Sequence, residues 1–288
     1  MTIAIVFAIV SAFFNAINMM TQHMASLRTT ERHSGWRIAL ELAVDPLWLA
    51  GLAAAGIGFI LYAIALHYGP LAVVQPLLVT ELVGALILRR LWIRQAVPLG
   101  AWFAALVVSV SLTIFLLAAA PSGGVSTSST RQWFIVIVAF VVVMAGLTAL
   151  GRGGSPTRRA ATLGCASAIG WALTAVFIKS MTDALAAYGI VGTLLHWQLY
   201  AFVICAALSG ILQQTALHVG PLSVSQPLLV VVNPIASIVL STWLFGERLT
   251  GNPWQLCIAV IAFAVMAGGV VVLSITTPMH IDAAGPRE

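Results

Sequence analysis

Residues Ala65–Val79 read A-L-H-Y-G-P-L-A-V-V-Q-P-L-L-V, and residues Ala216–Val230 read A-L-H-V-G-P-L-S-V-S-Q-P-L-L-V. Twelve of the fifteen positions are identical at a constant offset of 151 residues. Each copy joins the end of one long apolar stretch to the start of the next. Internal repetition of this kind marks two related halves. In membrane proteins built that way, the binding site lies where the halves meet.

The surrounding composition fixes the solvent. Of 288 residues, 61% are hydrophobic and 7% are charged, against about 25% charged in soluble domains. So little polar cover cannot clothe a soluble fold. Several stretches are long enough to cross a hydrocarbon layer of about 30 Å. Backbone polar groups in lipid must be satisfied within the chain, so continuous apolar runs become helices. A membrane barrel would need short alternating segments instead. The fold class expected is therefore all-α, a polytopic bundle of about nine transmembrane helices built from two inverted repeats.

The spans read as Thr2–Gln22, Leu47–His67, Leu71–Leu91, Leu99–Ala120, Gln132–Leu150, Ala161–Lys179, Leu194–His218, Pro221–Phe245 and Trp254–Ile275. The apolar start has no positive charge before it, so it reads as a retained span and not a cleaved signal. Residues 1–120 form the first repeat, with four spans and a charged segment, Met24–Asp45, that reads as lying along the interface. A tenth span within that segment is the competing reading. Residues 121–160 hold a linker span and a loop, 161–275 the second repeat, and 276–288 a polar tail.

Basic residues orient the chain. The loops after spans 1, 3 and 5 carry Arg28, Arg32, Arg37, Arg89, Arg90, Arg94, Arg152, Arg158 and Arg159, and the tail adds Arg287. The other side holds Arg131, Lys179 and Arg248. The excess side should be cytoplasmic, which puts the N-terminus outside and the C-terminus inside a plasma-membrane protein. The net charge of +5 then reflects topology and not nucleic-acid binding, since no segment interleaves basic and aromatic residues. Five spans separate the two G-P turns. An odd number puts the turns on opposite faces, which makes the repeats inverted.

Glu81 is the one formally charged residue well inside a span. It lies about ten residues into span 3, roughly 15 Å deep. A carboxylate there costs several kcal/mol unless neutralised, paired or hydrated, so such residues face cavities and serve ions, protons or cationic substrates. A protonated, structural Glu81 is the alternative. Gln75–Pro76 and Gln226–Pro227 form the repeated core. Each proline frees the carbonyl four residues back, leaving a polar spot of carbonyl plus amide. Asn233–Pro234 repeats the pattern seven residues after Gln226. Pro76, Pro227 and Pro234 are expected to kink their helices, and both a structural and a binding role stay open. Asn15, Asn18 and Gln22 make one polar stripe on span 1. Trp171 either lines a cavity or packs. The candidate substrate-binding set is thus Glu81, Gln75, Gln226, Asn233, Asn15, Asn18 and Trp171.

Several residues read as bland. His67 and His218 stand at helix ends. Lys179 closes span 6 and reads as snorkelling to the interface. Cys165, Cys205 and Cys257 are far apart and read as small packing residues. No P-loop, G-x-S-x-G or paired carboxylates occur inside the spans, so no enzyme and no cofactor is expected. The partners expected are a small-molecule or ion substrate and the bilayer, with no nucleic acid and with a second copy of the chain as a candidate.

The A-L-x-x-x-P-L-x-x-x-x-P-L pattern in both repeats, D-P-L-W-L-A-G-L at Asp45–Leu52 and F-G-E-R-L at Phe245–Leu249 resemble the EamA-like drug/metabolite transporter superfamily. The chain looks most like its NIPA-type branch, which is associated with magnesium transport. Glu247–Arg248 is similar to the E-R found in each repeat of the superfamily, whereas the first half has R-R-L-W-I-R at Arg89–Arg94 in that place. The resemblance implies secondary transport by alternating access. A small organic metabolite or drug, with proton coupling through Glu81, is the substrate reading favoured by the apolar lining. Magnesium or another divalent cation is the alternative, with Glu81 as the metal-binding carboxylate. A non-transporting scaffold or lipid-handling protein is a third reading.

Overall fold

The computed structural model describes residues 1–30, 44–92, 94, 96–122, 128–219 and 222–276. Ten helices and one small sheet occur among them: α1 (Thr2–Thr30), α2 (Pro46–Tyr68), α3 (Leu71–Leu77), α4 (Thr80–Leu91), α5 (Leu99–Ala119), β1 (Pro121–Ser122), α6 (Thr130–Gly151), α7 (Pro156–Leu195), α8 (Trp197–Val219), α9 (Leu222–Phe245), β2 (Arg248–Leu249) and α10 (Pro253–Thr276). With α3 and α4 counted as one crossing, nine are long and apolar enough to span a membrane. The protein is a helical, multi-pass membrane protein.

Local chemistry sets the helix starts. The Asp45 carboxylate accepts from the amides of Leu47 (2.8 Å) and Trp48 (2.9 Å), and Pro46 fills the first helical position, where a missing N–H costs nothing. Ser129 and Gln132 form a capping box on α6. Ser155 and Pro156 open α7 in the same manner as Asp45 and Pro46.

The 151-residue offset holds at the helix ends. Adding it to Pro46–Tyr68 gives the bounds of α8, Trp197–Val219, and adding it to Leu71 gives the first residue of α9. Packing is repeated as well. The Ser11 hydroxyl donates to the Gly58 carbonyl (2.8 Å) between α1 and α2, and the Ser167 hydroxyl donates to the Ser209 carbonyl (2.8 Å) between α7 and α8. Small residues make this approach possible. A Cβ on Gly58 would come within 2.9 Å of Asn15 Oδ1, and one on Gly170 would fall on the Ser209 hydroxyl. In lipid, close backbone approach of this kind carries much of helix association.

The halves are joined by α5 against α10 and by α3 against α9. β1 and β2 pair antiparallel, Pro121 with Leu249 and Ser122 with Arg248. Before β1, Ala120 adopts a left-handed conformation (φ 39°), and its carbonyl accepts the Thr250 amide at 3.3 Å. That contact holds a backbone geometry which a residue with a Cβ normally avoids.

Three expectations need correction. The helix that carries the sixth span does not stop at Lys179: α7 runs on to Leu195, with a break in its helical geometry at Gly189 (φ 67°). Residues 24–30 continue α1 instead of starting an interfacial helix. The third span is not one helix but two. The remainder of the expected interfacial segment (31–43), the second G-P turn (Gly220–Pro221) and the tail from 277 onward lie outside the described residues.

Candidate functional site

The break in the third span builds the site. Pro76 has no N–H to give the Ala72 carbonyl. The chain then tightens into bonds of three-residue spacing: Leu78 N to Gln75 O (3.2 Å), Val79 N to Pro76 O (3.1 Å), Glu81 N to Leu78 O (2.9 Å) and Leu82 N to Val79 O (3.1 Å). The Thr80 hydroxyl takes the Leu77 carbonyl at 2.7 Å, which fixes the tightened turn. Val231 stands at the matching position of the second copy and has no hydroxyl to offer. There α9 stays continuous through Pro227 and Pro234. Both segments carry the repeated proline, but among the described residues the helix divides only after Pro76.

Gln75 lies at the break and is 2% exposed. Its Nε2 donates to the Tyr62 hydroxyl on α2, while its Oε1 is buried without a partner. Glu81 falls in the first turn of α4, where the helix dipole favours negative charge. Among the described residues its carboxylate makes no hydrogen bond or ion pair. Across from α4, α1 brings Phe13 and Ala16 against Gly84, one turn below Glu81. Asn15 lies on that same stretch of α1, against Gly58, and Asn18 Oδ1 is a second buried oxygen with no partner.

In the second half, Trp171 Nε1 donates to Gln213 Oε1 at 2.7 Å. Gln213 and Tyr62 are 151 residues apart, so each repeat puts a polar group at the same level of its second helix and gives it a partner. The Gln226 side chain lies outside the described residues, but its neighbour Ser225 has a buried hydroxyl without a partner. Asn233 does not join this layer through a long-range contact: its Oδ1 accepts from Ser237 one turn on in α9 (3.3 Å). Sequence reasoning missed Tyr62 and gave Gln213 no role. The shared offset was the available signal.

A second polar cluster sits at the α2–α3 turn. Glu247, 1% exposed, caps α3. Its Oε1 accepts from the Leu71 amide (2.8 Å) and its Oε2 from the Ala72 amide (3.0 Å). Lys179 does not snorkel to an interface. It is 9% exposed, 3.1 Å from Glu247 Oε1, and donates to the carbonyls of Gly69 (3.1 Å) and Leu66 (3.5 Å). Its Nζ also stands 5.4 Å from the centre of the Phe245 ring. A buried ammonium persists only when paired and hydrogen-bonded in this way. Beside it, His67 Nδ1 approaches Asp183 Oδ1 at 3.4 Å, so His67 contacts the second half and is more than a surface residue. Cys165, Cys205 and Cys257 are free thiols. Among the described residues, no three His, Cys, Asp or Glu side chains cluster as metal ligands.

The chain is similar along almost its whole length to an uncharacterized protein of Corynebacterium glutamicum, with 29% identity over 278 residues covering 96% of each chain. No protein-family model and no solved structure matches it.

Proposed function

We propose that the protein is a secondary transporter that moves a small solute across the plasma membrane by alternating access, with the N-terminus outside and the C-terminus in the cytoplasm. The observation that carries this reading is the broken span. α3 and α4 meet within the membrane at a buried amide with a spare oxygen and a carboxylate that has no hydrogen-bond or ion-pair partner among the described residues, and α3 packs on α9 of the other half. A purely structural membrane protein gains nothing from unsatisfied polar atoms in lipid, where each costs several kcal/mol. Discontinuous helices at the interface of repeats are how many transporters build their sites. The resemblance to the drug/metabolite transporters points the same way.

The site residues would be Gln75, Glu81, Asn15, Asn18, Trp171 and Gln226, with Tyr62 and Gln213 orienting the amides and the indole. Glu81 would exchange a proton as it faces each side in turn, and the substrate would be a small organic metabolite or drug. One observation favours a divalent cation as a second reading. Among the described residues the buried side-chain atoms without partners are all oxygens, Asn18 Oδ1 and Gln75 Oε1 among them, and hard cations take oxygen ligands.

Purified protein in liposomes, tested against a panel of organic solutes and Mg2+, should show saturable flux of one class. Gln75→Ala combined with Gln226→Ala should abolish that flux while the protein stays folded. Unchanged flux would remove both residues from the mechanism. Absence of flux for every solute would favour a scaffold or lipid-handling role.

A further inference from the structure

Lys179 and Glu247 take no part in the polar layer around Gln75, yet they are among the most completely buried charged groups described. Their partners share one property. Glu247 and Lys179 belong to the second half. Apart from each other, the hydrogen-bond partners of their side chains are backbone atoms of the α2–α3 turn in the first half: the amides of Leu71 and Ala72 and the carbonyls of Leu66 and Gly69. His67–Asp183 also joins the first half to the second at this turn. Any movement of α3 away from the loop after α9 must break these contacts together. The tightened segment at Leu78 and Val79 separates α3 from α4 and is the place where such a movement would hinge.

The matching positions of the opposite face differ in sequence. At the 151-residue offset, Glu247 corresponds to Ala96, which is exposed, and Lys179 corresponds to Arg28. The base of the pair is repeated in the sequence, but the acid is not.

We propose that Lys179 and Glu247 form a one-sided gate. The pair locks the α2–α3 face shut by holding the N-terminus of α3, and opening on that face requires Glu247 to leave the Leu71 and Ala72 amides. The two residues act by positioning α3, not by touching the solute. The resting protein is thereby biased toward opening on the other face. The inference rests on the alternating-access reading, but it is tested by accessibility and not by flux, so the two can fail separately.

The test uses full-length protein in liposomes, with Cys165, Cys205 and Cys257 replaced by Ala. A single reporter is introduced as Val74→Cys, at a fully buried position of α3 behind the turn. A membrane-impermeant maleimide is applied to one face at a time. With Lys179 and Glu247 intact, labelling from the α2–α3 face should be slow. Glu247→Gln and Lys179→Met should each speed it by about tenfold or more, which corresponds to a shift of about 1.4 kcal/mol in a two-state balance. Labelling from the other face should fall or stay level. Because a lone buried charge can unfold the protein, the paired change Lys179→Met with Glu247→Leu is made as well. Replacing both charges by apolar groups is often neutral for stability, and this variant should show the same one-sided gain. A folded paired variant labelled at the original rate would overturn the gate. So would an equal gain on both faces, which would mean general loosening.

Discussion

Replacing Glu247 with Ala removes one side chain and strands three groups. The Leu71 and Ala72 amides lose their acceptor, and Lys179 loses its counter-ion. Each buried donor left unpaired costs about 1–3 kcal/mol. Breaking a buried ion pair by removing one partner costs about 3–5 kcal/mol. These terms overlap, because the same carboxylate serves all three groups, so the loss expected is about 3–5 kcal/mol and not their sum. Glu247→Gln keeps one acceptor oxygen and should lose about 1–3 kcal/mol. Unfolding in mixed micelles, followed by tryptophan fluorescence, measures both. Hydrogen exchange adds a local reading: the Leu71 and Ala72 amides should lose protection in Glu247→Ala. A double-mutant cycle with Lys179→Met should then show strong coupling between the two sites. A loss below about 1 kcal/mol for Glu247→Ala, with those amides still protected, would show that the carboxylate does not hold α3.

Three further outcomes are expected. Glu81→Gln keeps size and hydrogen bonding but cannot ionise, so it should fold and its flux should no longer depend on a pH gradient across liposomes; normal flux with unchanged pH dependence would make Glu81 structural. Gly170→Ala puts a methyl on the Ser209 hydroxyl and should cost about 1–3 kcal/mol in the same unfolding assay, whereas Gly210→Ala, with nothing within 4 Å of a Cβ there, should be close to neutral. In a cysteine-free background, Ser122→Cys should react with an impermeant thiol reagent applied outside intact cells and Ser155→Cys should not; reaction of Ser155→Cys alone would reverse the proposed topology.

The spans were legible because their signal is local. An apolar run with a cap at its start needs nothing from elsewhere in the chain. α2 begins at Pro46 where the sequence suggested Leu47, and α5 ends at Ala119 where it suggested Ala120. α7 runs on past Lys179, where the charge suggests an end, and what holds that ammonium is a carboxylate on a distant loop. The site divides the same way. Gln75 and Pro76 announced themselves by repetition, and the importance of Glu247 was hinted at by a motif. Neither the cap on α3 nor the Tyr62 and Gln213 partnerships could be read along the chain, since each joins residues on different helices. The split of the third span was hidden for another reason: the same Q-P pair lies in the first of two short helices in one half and inside one continuous helix in the other.

The Lys179–Glu247 pair also bears on how the chain is made. Synthesis runs from the N-terminus, so Lys179 is delivered 68 residues before Glu247, counting from 179 to 247. During that interval the ammonium has no Glu247 to meet. The carbonyls of Leu66 and Gly69 are already present, and Asp183 follows one turn later on the same helix, at a spacing that allows side chains to touch. Along the chain Asp183 is thus a nearer acid to Lys179 than Glu247 is, and in the finished protein it faces His67. The last stretch of the chain then completes the assembly from a distance. A product truncated before Glu247 leaves Lys179 without the carboxylate that pairs with it in the finished protein.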